Sequence, residues 1–173
     1  LGKASLTSTT THITPLIDTQ RMGVIAIENL VNNLTTDEGD KSSGGSAIAK
    51  YVSRRVTLTD GFDASDLTVF LTMNKPAGTN VYVYYKLLSA YDPEAFDDKL
   101  WKLMAQTTQT NTVALTEDEF IEYQFDPSTT TVEYVSGSAT YKTFKNFAIK
   151  IVMTSTNTTK VPRIQDMRAI AMA

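Results

Sequence analysis

Through the second two-thirds of the chain, apolar residues recur at every second position in short runs separated by polar turn clusters. Residues 51–59 (YVSRRVTLT) alternate so that Val52, Arg54, Val56 and Leu58 share one face of a strand. After a turn at Asp60-Gly61 and residues 63–66, residues 67–73 (LTVFLTM) form a second run. The turn at 74–80 leads into residues 81–88 (VYVYYKLL), β-branched and aromatic almost throughout. An acidic loop then precedes residues 99–104 around Trp101. Further runs lie at 120–125 (FIEYQF), 147–154 (FAIKIVMT) and 161–172 (VPRIQDMRAIAM), the last with Pro162 marking an edge. Roughly seven or eight strands in about 125 residues, with no long helical segment between them, predict an all-β fold. The expected architecture is a jelly-roll-like β-sandwich over residues 48–173.

Residues 1–47 differ in character. Residues 3–14 are rich in Thr and Ser without a clean period. From residue 22 on, apolar positions 24, 27, 31 and 34 suit a helix, whereas Val24-Ile25-Ala26-Ile27 suits a buried strand, so both forms stay open. Residues 35–46 (TTDEGDKSSGGS) have the composition of a linker or loop. The chain therefore divides into an extended N-terminal arm with its linker (1–47) and a sandwich domain (48–173). An apolar segment on such a linker either docks back or joins a neighbour, and edge strands supply acceptor sites. The interface residues expected on this ground are Ile13, Leu16, Ile17, Val24, Ile25, Ile27 and Leu30. The first residue is Leu1 rather than Met, which fits a fragment of a longer chain.

Composition supports the sheet and narrows the chemistry. Threonine occurs 27 times in 173 residues, and its β-branched side chain favours pleated surfaces over helix interiors. With no cysteine, disulfides and thiolate metal sites are excluded. The 16 basic and 19 acidic residues give a net charge of −3, the wrong sign for a nucleic-acid partner. No apolar run approaches the ~20 residues of a membrane-spanning helix. No cofactor and no metal are expected.

Candidate chemical groups are few. His12 is the single histidine and has neither a carboxylate nor a nucleophile in local sequence, and no Gly-x-Ser-x-Gly elbow exists. An enzyme is not expected. Asp60, Asp63 and Asp66, and Asp92, Glu94, Asp97 and Asp98, offer oxygens for calcium, but they lack the alternating spacing of a calcium loop and suit turns equally well. Glu119 and Glu122 pair only on paper as a glycosidase dyad. Trp101, Tyr82, Tyr84, Tyr85 and Tyr91 would make a sugar-stacking surface if coplanar and exposed, yet the alternation of Tyr82 and Tyr84 with valines assigns part of them to a core. A carbohydrate-binding module is thus the alternative to an assembly protein.

Two stretches carry a family resemblance. The first is Thr14-Pro15-Leu16-Ile17-Asp18-Thr19-Gln20-Arg21 with Val24-Ile25 and Glu28-Asn29-Leu30-Val31-Asn32-Asn33. The second runs from Gly45-Ser46-Ala47 through Tyr51-Val52-Ser53-Arg54-Arg55-Val56 and Gly61-Phe62-Asp63-Ala64 to Lys75-Pro76-Ala77-Gly78 and Val83-Tyr84-Tyr85-Lys86. With the ending Val161-Pro162-Arg163-Ile164 to Arg168-Ala169-Ile170-Ala171, these resemble the C-terminal region of virion structural proteins of contractile-tailed bacteriophages, cyanophages among them. The resemblance implies a tail or baseplate component located in the virion, with other virion proteins and copies of itself as partners. It brings no active-site motif.

Overall fold

The computed structural model describes residues 37–127, 132–156 and 159–173. Eleven strands form in these residues: β1 (Lys50–Val52), β2 (Val56–Thr57), β3 (Asp66–Asn74), β4 (Thr79–Leu88), β5 (Lys102–Leu103), β6 (Ala105–Gln106), β7 (Ile121–Asp126), β8 (Tyr134–Ser136), β9 (Ala139–Tyr141), β10 (Asn146–Ser155) and β11 (Arg163–Met172). One sheet has the order β1-β10-β4-β5, with β2 continuing the β1 edge beside β10; the other has the order β11-β3-β7-β6. All pairings between the strands are antiparallel. Early strands pair with late ones, β3 with β11 and β4 with β10, as in a chain folded in half and rolled into two layers. The expected all-β sandwich is what forms.

The alternation read from sequence places the core. Leu67, Val69, Leu71 and Met73 of β3 meet Val83, Tyr85 and Leu87 of β4, with Tyr123 and Phe125 of β7 and Phe147, Ile149 and Ile151 of β10. Each such buried side chain contributes on the order of 1.5–3 kcal/mol. A second, smaller cluster lies on the outer face of the β4–β10 sheet: Tyr84, Ala148 and Val152 are covered by Ala47, Phe96 and Trp101.

The first alternating run departs from expectation in one respect. Val52 lies opposite Lys150, but Val56 lies opposite Phe147, so four steps on one strand face three on the other. The extra residue is a bulge around Ser53, whose N–H bonds the Ile149 carbonyl while its hydroxyl accepts the Ile149 N–H. Val52 therefore faces outward and Val56 inward, although the even spacing had put them on one face.

The polar stretch before the sandwich is also more than a tether. From Asp37 on it lies against the outer face of the β4–β10 sheet, where Glu38 and Ala47 are buried.

Candidate assembly edge

β5 and β6 are separated only by Met104, so the chain crosses there from one sheet to the other and closes that side of the sandwich. The opposite side is bordered by β1–β2 in one sheet and β11 in the other, and among the described residues no strand bridges them. β11 pairs with β3 alone among the described residues, so no described strand lies along its other edge over ten residues. One irregularity, between Ile164 and Asp166, interrupts the register; from Asp166 to Met172 it is regular.

Register assigns the faces. Met167, Ala169 and Ala171 lie opposite Leu71, Val69 and Leu67 and so face the sandwich interior, yet all three are only half-buried. Across from β11, Tyr51 lies opposite Ile151 and Val56 opposite Phe147, both on the inner face, and they remain 50% and 38% exposed. Phe62, in the turn leading to β3, is 68% exposed. On the outer face of β11, Arg168 stacks 4.7 Å over Phe70 and reaches Glu122 at 3.1 Å, while Ile170 and Met172 are exposed. Inner-face apolar side chains that reach solvent along a ten-residue edge with no described neighbour are what a further strand would cover.

Compared with protein-family models, with curated proteins and with solved structures, the chain has no significant match.

The remaining ionisable clusters are structural in geometry. Lys150 Nζ is fully buried and donates to Glu38 Oε2 at 2.9 Å, the Glu38 carbonyl at 2.7 Å and the Gly44 carbonyl at 3.1 Å, with the Tyr84 ring 4.5 Å away. Burial pushes the Lys150 pKa down, and Glu38 offsets only part of that. Lys86 is likewise lowered by burial, beneath Trp101 at 4.8 Å, and donates to the Ser42 carbonyl at 2.8 Å. These bonds fasten residues 37–47 to the sheet.

A second cluster joins the loop after β4 to the β8–β9 hairpin. Lys99 lies between Asp92, at 2.5 Å, and Glu94, and also reaches the Ser136 hydroxyl at 2.7 Å. The Tyr134 hydroxyl donates to Asp92 at 2.9 Å and accepts the Ser89 N–H at 2.7 Å. Burial alone would lower Lys99, but its two carboxylate partners outweigh it and hold the ammonium above its ordinary range. Burial would raise Asp92, but bonds from Lys99, the Glu94 N–H, Tyr134 and Ser136 hold it low. A serine beside a lysine suggests a nucleophile and base; here the lysine keeps its proton and cannot take one from Ser136.

The other candidates separate. Trp101 is buried and donates to the Ser42 carbonyl at 3.2 Å, whereas Tyr91 is 81% exposed, so the two do not form one exposed surface. Tyr84 and Tyr85 are buried on opposite faces of β4 and Tyr82 is half-buried. Asp60 pairs with Lys145, and no group of three or more His, Asp or Glu placed to hold a metal occurs among the described residues. His12 and the expected interface residues Ile13, Leu16, Ile17, Val24, Ile25, Ile27 and Leu30 lie outside the described residues. The β11 edge itself was missing from that set; its signal was Ala-Ile-Ala-Met-Ala, an uncharged alternating end to the last strand.

Proposed function

We propose that this chain is a non-enzymatic structural subunit of a contractile-tailed phage particle, a tail or baseplate component that joins other virion proteins, and copies of itself, through its N-terminal arm and sandwich edges. The observation that carries the assembly part is the side of the sandwich opposite β5–β6, where no described strand lies along β11 and inner-face side chains of both sheets are half-exposed. Leaving such an edge uncovered invites uncontrolled pairing, so a defined partner strand is the economical use for it. The virion part rests on the sequence resemblance at residues 14–33, 45–86 and 161–171.

Light scattering on residues 1–173 and on a chain starting at Asp37 tests the assembly part. The shorter chain keeps Glu38 and with it the bonds that fasten residues 37–47. The full chain is expected to self-associate and the shorter one to be monomeric; a full chain that stays monomeric overturns the self-association. Mass spectrometry of purified particles checks the virion part, with this sequence expected among the tail polypeptides.

A further inference from the structure

The alternation that puts Leu67, Val69, Leu71 and Met73 in the core continues to one more position of the same parity, and a lysine occupies it. Lys75 follows directly on β3, and its carbonyl accepts the Ala114 N–H at 2.8 Å, which holds the backbone there. The residue is only 8% exposed, with Nζ 5.2 Å from the centre of the Tyr123 ring.

Four lysines are buried among the described residues, and three of them have oxygen partners. Lys150 bonds Glu38 and the Gly44 carbonyl, Lys99 lies between Asp92 and Glu94, and Lys86 donates to the Ser42 carbonyl. Lys75 Nζ makes no hydrogen bond or ion pair among the described residues, and burial pushes its pKa down with no acid opposing it. An ammonium taken out of water without a counter-charge is costly, and an anion that reaches it offsets that cost.

The space for one is present. Lys75 lines a cavity of about 250 Å³ on the side closed by β5 and β6, whose walls include Val81, Val83, Met104 and Phe125. The exposed Asn80 and Thr110 line it as well, with an amide and a hydroxyl able to donate to an oxygen. No side-chain nitrogen or oxygen that lacks a partner is fully enclosed among the described residues, so the Lys75 ammonium is not sealed off from this cavity.

We propose that the cavity binds a small organic monocarboxylate, its carboxylate on Lys75 Nζ and its apolar body against Val83, Met104 and Phe125. One ammonium balances one negative charge, whereas a phosphate dianion would bring a second charge against apolar walls. The volume falls below the roughly 300–1,000 Å³ of pockets for drug-sized ligands, so the occupant is small. The site lies away from the β11 edge and is independent of the assembly reading.

The test is an NMR titration of the full-length protein with benzoate, hexanoate, benzamide and inorganic phosphate, each to about 10 mM, a range that detects millimolar affinity. Benzoate or hexanoate is expected to shift the backbone amides around Lys75 and Val83 saturably, and to bind Lys75→Met at least tenfold more weakly. Benzamide, which keeps the ring and loses the charge, and phosphate are each expected to bind the parent at least tenfold more weakly than the better carboxylate. If Lys75→Met loses the parent's circular dichroism, the parent supplies the readout. Its Lys75 CεH2 signal, identified by its absence from Lys75→Arg, must then move with the carboxylate.

Benzamide as tight as benzoate overturns the proposal in favour of a merely apolar cavity. Phosphate as tight as the carboxylates overturns the monocarboxylate class. Unchanged affinity in Lys75→Met, or a Lys75 signal that stays still, places any bound carboxylate elsewhere. No saturable shift with any probe overturns the site altogether.

Discussion

At the scale of single residues, the strongest commitments of this sequence are its buried charges. Lys150 and Glu38 have no exposed side-chain surface and satisfy each other across 112 residues of sequence. Removing one partner leaves the other ion buried without a counter-charge, which costs about 3–5 kcal/mol. Lys150→Met is therefore expected to lower the unfolding free energy by about that amount in urea titrations; a loss under ~1 kcal/mol would show that water reaches Glu38. Gly45 belongs to the same arrangement. Its φ is +74°, and an added Cβ would sit 2.5 Å from the Glu38 carboxyl carbon. Gly45→Ala is expected to rank with Lys150→Met, read by the same titration, because it both strains the backbone and displaces the carboxylate.

The second cluster has a pH signature. Asp92 titrates below its ordinary range, so the unfolded chain binds the proton more readily than the folded one. Its stabilisation is present above roughly pH 4 and is lost as pH falls through the folded-state pKa. Unfolding free energy measured from roughly pH 6 down to 2 should fall steeply at the acid end, and Asp92→Asn should flatten that fall while lowering stability at neutral pH. An unchanged acid limb in Asp92→Asn would assign the effect to exposed carboxylates such as Glu94 and Asp60, which also titrate low through lysine partners.

At the scale of elements, the β8–β9 hairpin is tied to the loop after β4 through the hydroxyls of Tyr134 and Ser136, of which the Tyr134 hydroxyl is the buried one. Tyr134 OH bridges the Ser89 N–H and Asp92, and its ring stacks on Tyr141 at 5.3 Å. Tyr134→Phe keeps the stack but strands a buried donor, for an expected cost of about 1–3 kcal/mol. Amide exchange should quicken in β8 and β9 ahead of β3 and β10; uniform acceleration would mean that the hairpin unfolds only with the core. This hairpin is also where the sequence was least legible. Tyr134–Ser136 and Ala139–Tyr141 are three-residue strands, too short for a period to register, and the Gly137-Ser138 turn was the only cue. By contrast β3, β4 and β10 were legible because long β-branched runs bounded by turns allow little else. The bulge at Ser53 was invisible for another reason: it depends on a hydroxyl reaching Ile149 across 96 residues, and no local pattern encodes that. The candidate edge was half legible. Which strand is last can be read from sequence, but that β3 takes one side of β11 and no described strand the other is a tertiary fact.

At the scale of the whole molecule, the arm and the folded body must be divided correctly. Composition put the boundary near residue 47, at the end of the Gly/Ser-rich stretch. Packing ties residues 37–47 to the sheet: the Glu38 carboxylate accepts the Ala47 N–H at 2.6 Å, Ser42 accepts from both Lys86 and Trp101, and Ala47 joins the outer cluster. Two truncations therefore separate cases that composition merges. A chain starting at Asp37 retains every one of these bonds and is expected to unfold within ~1 kcal/mol of the full chain when both are measured as monomers. A chain starting at Ala47 loses the Glu38 carboxylate and carbonyl, the Gly44 carbonyl and the Ser42 carbonyl that hold Lys150, Lys86 and Trp101 and uncovers that face of the sheet, and is expected to lose more than ~1 kcal/mol relative to the Asp37 chain. Equal stability of the two would mean that residues 37–46 are only a tether, and the buried lysines would then need another source of compensation. If the Ala47 chain alone fails, then any change of assembly in the Asp37 chain reports on residues 1–36 and not on damage to the sandwich. That separation is what allows the arm to be tested as an assembly device at all.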